Sequence, residues 1–165
     1  MNKEEIYSFL QNKEIPFEIM EHKAVYNMKE LDEIEMPHSE AEAKNLFIRD
    51  DKKRNYYMLT VQGDKHVDLK KFQLEQETRR LSFASDTDLM NILGLTPGAV
   101  TPLGLLNDEQ RIVNLYLDED FLPGNGLVAV HPNDNTATVW LRCSDLIDII
   151  KEHGNIVRTV KFPTL

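Results

Sequence analysis

Cysteine is nearly absent: Cys143 is the single one in 165 residues. One thiol excludes an intrachain disulfide framework and a thiolate zinc cluster, and it fits a reducing compartment. The histidines stand at His22, His38, His66, His131 and His153 and never recur at His-x-x-x-His spacing. His66-Val67-Asp68 is too common a pair to specify a metal, so no metal site and no cofactor are expected. Gly-x-Gly-x-x-Gly, a Walker loop and Gly-x-Ser-x-Gly are all missing, which removes the usual marks of dinucleotide, nucleoside triphosphate and serine-hydrolase chemistry. No apolar run approaches the roughly 20 residues of a membrane helix. The start, Met1-Asn2-Lys3-Glu4-Glu5, lacks the apolar stretch of a signal peptide, so a cytoplasmic location without membrane contact is expected. Positive charge is also short. Lys and Arg number 19 against 28 Asp and Glu, a net charge of -9, and this argues against non-specific binding to duplex DNA. It leaves room for an RNA end held by a local basic patch.

What is present suffices for a core. With 41% hydrophobic residues in this length, a single domain spanning 1–165 is expected. Ile6, Phe9 and Leu10 share a face of a first helix, with Asn2 and Glu5 spaced as a capping box. Phe17 to His22 alternates as a strand. Met28 to Ile34 suits a short helix, and Ser39 is placed to cap another running to Lys44. Asn45 to Asp50 and Tyr56 to Val61 read as an antiparallel hairpin across the charged turn Asp50–Asn55. Asp68 caps a helix through Phe72, Arg80 to Ala84 is a short strand, and Asp86 is expected to cap a helix ended by Gly94. Strands follow at Arg111–Leu117, Leu127–Val130 and Thr136–Leu141, with Asp118-Glu119-Asp120 as a solvated turn. Ser144 is placed to cap a helix ended by Gly154, and Ile156–Val160 suits an edge strand. Strands and helices mix without regular βα alternation. The fold class is therefore α/β (mixed α+β), with a mixed, largely antiparallel sheet flanked by helices.

The least ordinary stretch is Leu95-Thr96-Pro97-Gly98-Ala99-Val100-Thr101-Pro102-Leu103-Gly104-Leu105-Leu106-Asn107-Asp108. It holds too many breakers for a helix or a central strand, and Gly98 is expected to use backbone angles closed to other residues. Apolar side chains interleave with the breakers, so the loop is expected to cross the protein body and to turn its N–H groups toward a ligand. Lys44 and Asn45 beside a strand, Thr101 in the loop and His131 at a strand end are the polar positions best placed for chemistry. Each also has a plain structural reading: a surface lysine, a turn cap, a loop hydroxyl and a strand-end histidine.

Four stretches, read together, carry a resemblance. They are Glu42-Ala43-Lys44-Asn45-Leu46-Phe47-Ile48-Arg49-Asp50, Arg80-Leu81-Ser82-Phe83-Ala84-Ser85, Gly98-Ala99-Val100-Thr101-Pro102-Leu103-Gly104-Leu105 and His131-Pro132. From about Phe9 to the last strand the chain resembles the YbaK/ProX family of free-standing aminoacyl-tRNA deacylases. That family shares the fold of the editing domain inserted in bacterial prolyl-tRNA synthetase (ProRS). The resemblance implies a metal-independent ester hydrolase without a cofactor. Its partners would be the acceptor end of tRNA(Pro) bearing a wrong amino acid and, further, prolyl-tRNA synthetase itself, and it would act as a monomer. It implies catalytic roles for Lys44, Gly98 and His131 and substrate contacts by Asn45, Ala99, Val100, Thr101 and Pro102. The Lys44–Phe47 block and Leu105–Asp108 favour the branch that removes alanine from tRNA(Pro). Cysteinyl-tRNA(Pro) deacylation and a non-catalytic binding module for aminoacyl-tRNA or the synthetase are the alternatives. Thr101-Pro102-Leu103 stands where many relatives have Ser-Pro-Phe, which keeps the hydroxyl and changes the apolar residue. Lys52, Lys53, Arg54, Lys70 and Lys71 are the candidate contacts to tRNA phosphates.

Overall fold

A computed structural model describes residues 1–24 and 38–165, and the helix expected over Met28 to Ile34 lies outside the described residues. Helix α1 (Lys3–Asn12) opens on the expected capping box: the Asn2 side chain accepts from the Glu5 N–H, and Glu5 accepts from the Asn2 N–H. Its apolar stripe buries Ile6 and Leu10. Two sheets follow. One is antiparallel, β1 (Phe17–Glu21), β7 (Ala137–Arg142) and β6 (Leu127–Val130), with β7 central. The other has five strands in the order β4 (Leu81–Phe83), β2 (Ala43–Asp50), β3 (Tyr56–Gln62), β5 (Val113–Asp118) and β8 (Val157–Val160). β2 pairs antiparallel with β3 and β4, while β3/β5 and β5/β8 are parallel. This is the mixed, largely antiparallel arrangement expected, divided between two sheets. They meet at one parallel bridge, Glu42 to Ala129. Among the described residues the further helices are α2 (Leu69–Glu75), α3 (Asp86–Asp88) and α4 (Cys143–His153).

Strand alternation sorts the core. From the five-stranded sheet, Phe47, Tyr56, Met58, Val113 and Leu115 join the large cluster that includes Leu103, Leu105, Val128, Val130 and Leu146. The opposite face of the same sheet presents Ile48, Tyr57, Leu59 and Val61 to Phe72 of α2 and to Phe162.

Several local expectations are corrected. Ser39–Ala41 is only a 3-10 turn without a side-chain cap, and Lys44 is already in β2. The alternating run from Ala43 to Asp50 has a whole strand, β3, to pair with, and that outweighs the helix-forming Glu-Ala-Glu-Ala-Lys composition. The cap of α3 is Ser85, one residue earlier than Asp86, its side chain accepting from the Asp88 N–H. Beyond α3 the chain widens into a π-helical turn, Leu89–Leu93, which Gly94 ends at φ +66. α4 begins at Cys143, with Arg142 at the cap position and no side-chain cap bond, so Ser144 lies inside the helix. Asp118 is no part of a solvated turn. It is fully buried and accepts from the Gln62 N–H at 3.0 Å, the Asp120 N–H at 3.0 Å and Lys65 Nζ at 2.9 Å. Partners distant in sequence make that burial possible.

Candidate active site

The breaker-rich loop does cross the body. Leu95, Ala99, Thr101, Leu103 and Leu105 are all buried. Pro97–Ala99 forms one 3-10 turn and Pro102–Asn107 a second. Gly98 lies within the first turn and is not among the residues with positive φ, so the unusual angles expected there are absent. Its N–H, in the opening turn of a helix whose first residue is proline, has no intrahelical partner. The Ala99 N–H donates to Thr96 O at 3.0 Å. The Thr101 hydroxyl accepts from the Leu103 N–H at 3.3 Å and caps the second turn. Thr101 is thus fully buried and engaged with its own loop. Both ends of the loop are pinned. Asn107 Nδ2 donates to Leu93 O at 2.8 Å, and buried Asp108 accepts from the Val113 N–H and from Asn155 Nδ2. Gly104 packs where no side chain fits, because a Cβ there would lie 2.5 Å from Leu95 Cδ1.

Lys44 and Asn45 are neighbours on β2 and so point to opposite faces of the sheet. Asn45 stands across from Thr60, whose hydroxyl donates to Asn45 Oδ1 at 2.7 Å. That pair lies on the face that meets the loop and β6, where Ala43 and Val100 both pack against the main core. Lys44 stands across from Val61 on the other face. Its Nζ lies 3.9 Å from Asp64 Oδ1, a half-exposed contact at the sheet rim that holds the lysine only weakly.

His131 follows β6 directly. Its Nδ1 lies 2.9 Å from Ala137 O. A carbonyl only accepts, so Nδ1 carries the proton and Nε2 of the neutral ring keeps its lone pair. Burial pushes the ring below its ordinary pKa of 6.5 and the nearby His22 adds to this, while the bond to Ala137 O opposes both. The imidazole is therefore neutral at pH 7. The Glu42–Ala129 bridge is parallel, and Lys44 and His131 each lie two residues beyond it. The topology thus gathers Lys44, Asn45 and His131 around one junction between the sheets, with the loop behind it across the shared core. Among the described residues, no hydrogen bond or ion pair joins Lys44 to His131 or to Gly98–Pro102.

Two neighbours of the site were not singled out from sequence for any role in it. His22 Nδ1 donates to Lys23 O at 2.7 Å, and its Nε2 lies 2.9 Å from the Thr138 hydroxyl. Its ring centroid is 6.3 Å from that of His131. Trp140 pairs with Ala129 across the strands, and its Nε1 is buried with no hydrogen-bond partner among the described residues. The 109 residues of sequence separating His22 from His131 hid the first. Trp140 had only its strand propensity to mark it. Among the described residues no group of three or more His, Cys, Asp or Glu is placed to hold a metal ion. Also among them, no helix is long and apolar enough to cross a membrane.

Residues 22–149 match the aminoacyl-tRNA editing domain. The chain belongs to that family. The editing-domain match takes in Lys44, the whole loop and His131. Over 159 residues, covering 96% of either chain, this editing domain is 40% identical to the prolyl-tRNA editing protein ProX of Acetoanaerobium sticklandii. It is 35% identical to the prolyl-tRNA synthetase associated domain-containing protein 1 of Mus musculus, over 84% of this chain and 83% of that one. A crystal structure described as that of a candidate trans-editing enzyme for prolyl tRNA synthetase superposes with a TM-score of 0.76. It covers 99% of this chain and 97% of that one at 18% identity, and so speaks for the fold.

Proposed function

We propose that this protein is a trans-editing hydrolase that removes alanine from mischarged tRNA(Pro). The observation that carries the reading is the 40% identity to a prolyl-tRNA editing protein along 96% of both chains. The site has parts that suit the chemistry. Water attacks the carbonyl carbon of the ester linking alanine to the terminal ribose. The bond to the ribose oxygen then breaks, that oxygen takes up a proton originating from the water, and free alanine leaves. Negative charge grows on the carbonyl oxygen, and the Gly98 N–H is the loop donor with no helical partner of its own to satisfy that charge. Lys44 supplies positive charge at the mouth. Its work is electrostatic and positional. Neutral His131 offers the Nε2 lone pair to orient the attacking water or the free ribose hydroxyl. Asn45 is steadied by Thr60, and Ala99, Val100, Thr101 and Pro102 shape the wall that the amino acid meets. Alanine is smaller than proline, so a small pocket admits the wrong residue and rejects the right one by clash.

The protein works on the acceptor end of tRNA(Pro) as a monomeric single domain in the cytoplasm, with prolyl-tRNA synthetase the enzyme whose error it corrects. The experiment is hydrolysis of Ala-tRNA(Pro) beside Cys-tRNA(Pro), Pro-tRNA(Pro) and Ala-tRNA(Ala), with enzyme far below substrate. Fast turnover of Ala-tRNA(Pro) with Pro-tRNA(Pro) left intact is expected. Preferred turnover of the cysteinyl ester would reassign the substrate, and saturable binding without turnover of any ester would overturn the enzyme reading.

A further inference from the structure

Away from the loop and His131, α2 and β4 enclose a groove of about 630 Å³ lined by Leu69, Lys70, Gln73, Leu74, Arg80 and Leu81. Three features of it have no structural use. Lys70 and Arg80 are exposed and make no ion pair among the described residues. Large apolar side chains stand in solvent at and beside the groove, Leu74 at 76% and Phe83 at 60% exposure. Among the described residues β4 is an edge strand, with no neighbour on its outer side in the sheet. The groove also continues into more positive charge. Arg79 makes a two-pronged pair with Asp51 at 2.6 and 3.1 Å, tying the hairpin turn that carries Lys52, Lys53 and Arg54 to the segment entering β4. These cations sit on a chain of net charge -9.

We propose that this groove is a second RNA contact, holding the tRNA strand just upstream of its 3′ end. The proposal rests on the editing function above. Leu46 and Ile48 point to the α2 side of the sheet, and by alternation so do Lys44 and Asp50. Asp50 pairs with Leu81 of the groove. Six strand residues separate Lys44 from Asp50, or roughly 20 Å. That span matches about six stacked nucleotides. A strand whose last ribose lies at Lys44 therefore reaches the groove while still close to its end. Lys70 and Arg80 meet phosphates where the strand enters the acceptor stem, and the apolar surfaces of Leu74, Leu81 and Phe83 meet its sugar faces. A second copy of this chain fits less well, because two molecules of the same large negative charge repel and the free cations would stay unmatched.

The test measures binding of uncharged tRNA(Pro) to the full-length protein by fluorescence anisotropy over a salt series. It uses wild type, the double variant Lys70→Ala/Arg80→Ala and a surface control, Lys151→Ala. The double variant is expected to bind about tenfold more weakly, with the slope of log affinity against log salt reduced by about 1.4, the value for two phosphate contacts on a single strand. The control should move neither quantity. In parallel, kcat/KM should fall for full-length Ala-tRNA(Pro) and stay at the wild-type value for alanyl-adenosine, which is too short to reach the groove. Unchanged affinity and salt slope in the double variant would overturn the proposal. So would a wild-type dimer, in sedimentation, that the double variant dissociates. Loss of tRNA binding in the variant, with no ester hydrolysis by wild type, would uphold the RNA contact and sink the editing reading instead.

Discussion

At the scale of single residues, Lys44 and His131 differ in how firmly they are held. Lys44 has one long contact, to Asp64 at 3.9 Å, and lies at the rim of its sheet. Its removal costs the fold little and the reaction much. Lys44→Ala should lower kcat/KM on the alanyl ester by roughly 10²–10³-fold, the usual loss for one electrostatic group, with Tm within about 2 °C of wild type as befits an exposed pair. Lys44→Arg should recover part of the rate, since the charge is kept and its geometry changed. An alanine variant as active as wild type would remove Lys44 from the mechanism. His131 is half-buried, with Nδ1 fixed on Ala137 O, and its pKa lies below the ordinary 6.5 chiefly because its ring is partly withdrawn from water. The neutral ring persists to lower pH than a free histidine would allow. The acid limb of the kcat/KM profile should therefore have its midpoint below 6.5, in step with the His131 ring signals followed by NMR. A midpoint at or above 6.5 would contradict a role for the neutral ring.

At the scale of elements, the loop behind the site is set by packing and by its pinned ends. Gly104 is tight against Leu95, itself 1% exposed and unable to yield toward solvent. Gly104→Ala should cost about 1–3 kcal/mol through overpacking, read as a Tm lowered by about 2–4 °C per kcal/mol. Because the displaced atoms belong to the loop, the activity loss should exceed what the unfolded fraction explains. At the end of β5, Asp118 gathers the Gln62 N–H, the Asp120 N–H and Lys65. Asp118→Ala leaves a buried N–H unmatched and should destabilise by roughly 1–3 kcal/mol, measured by urea unfolding. Local signals made many elements legible in the sequence. The Asn2/Glu5 box, the Asp50–Asn55 hairpin turn, the Asp68 cap and the helix stop at Gly154 each depend on residues within a few positions. What escaped depends on distant partners. Lys44 reads as the end of a helix until β3 is beside it. Asp118 reads as solvated until Gln62 and Lys65 arrive. The division into two sheets has no local signal at all, since it turns on one bridge between Glu42 and Ala129. Around the candidate site, the crossing of the loop through the body was legible, whereas the opposite facing of Lys44 and Asn45, and His22 lying beside His131, follow from pairing registers that no single stretch encodes.

At the scale of the whole molecule, buried and paired titrating groups shape how stability depends on pH. Among the described residues, four carboxyls are held below their ordinary pKa. Glu21 is lowered chiefly by Lys3, Asp51 by Arg79, and Asp134 by the Thr136 hydroxyl. For Asp50, burial pushes upward, and the hydrogen bonds from Arg54, Asn55 and Lys52 outweigh it. A group whose folded pKa is depressed binds protons more readily in the unfolded chain. Its stabilisation is present above the unfolded pKa and is lost as pH falls through the folded value. For the carboxyls that window opens near pH 4 and extends downward. For His131, also depressed, the rule is the same and the window opens at 6.5. Urea midpoints measured from pH 8 to pH 3 should therefore fall in two stages, a shallow one beginning near 6.5 and a steeper one beginning near 4. His131→Asn should erase the first stage and leave the second, lowering stability by a constant amount elsewhere. The two stages separate because one half-buried imidazole governs the first and hydrogen-bonded carboxyls, buried Asp50 among them, govern the second. A single smooth decline unaffected by His131→Asn would mean that the ring is as readily protonated in the folded protein as in the unfolded chain, and the neutral lone pair at the site would no longer follow from its burial.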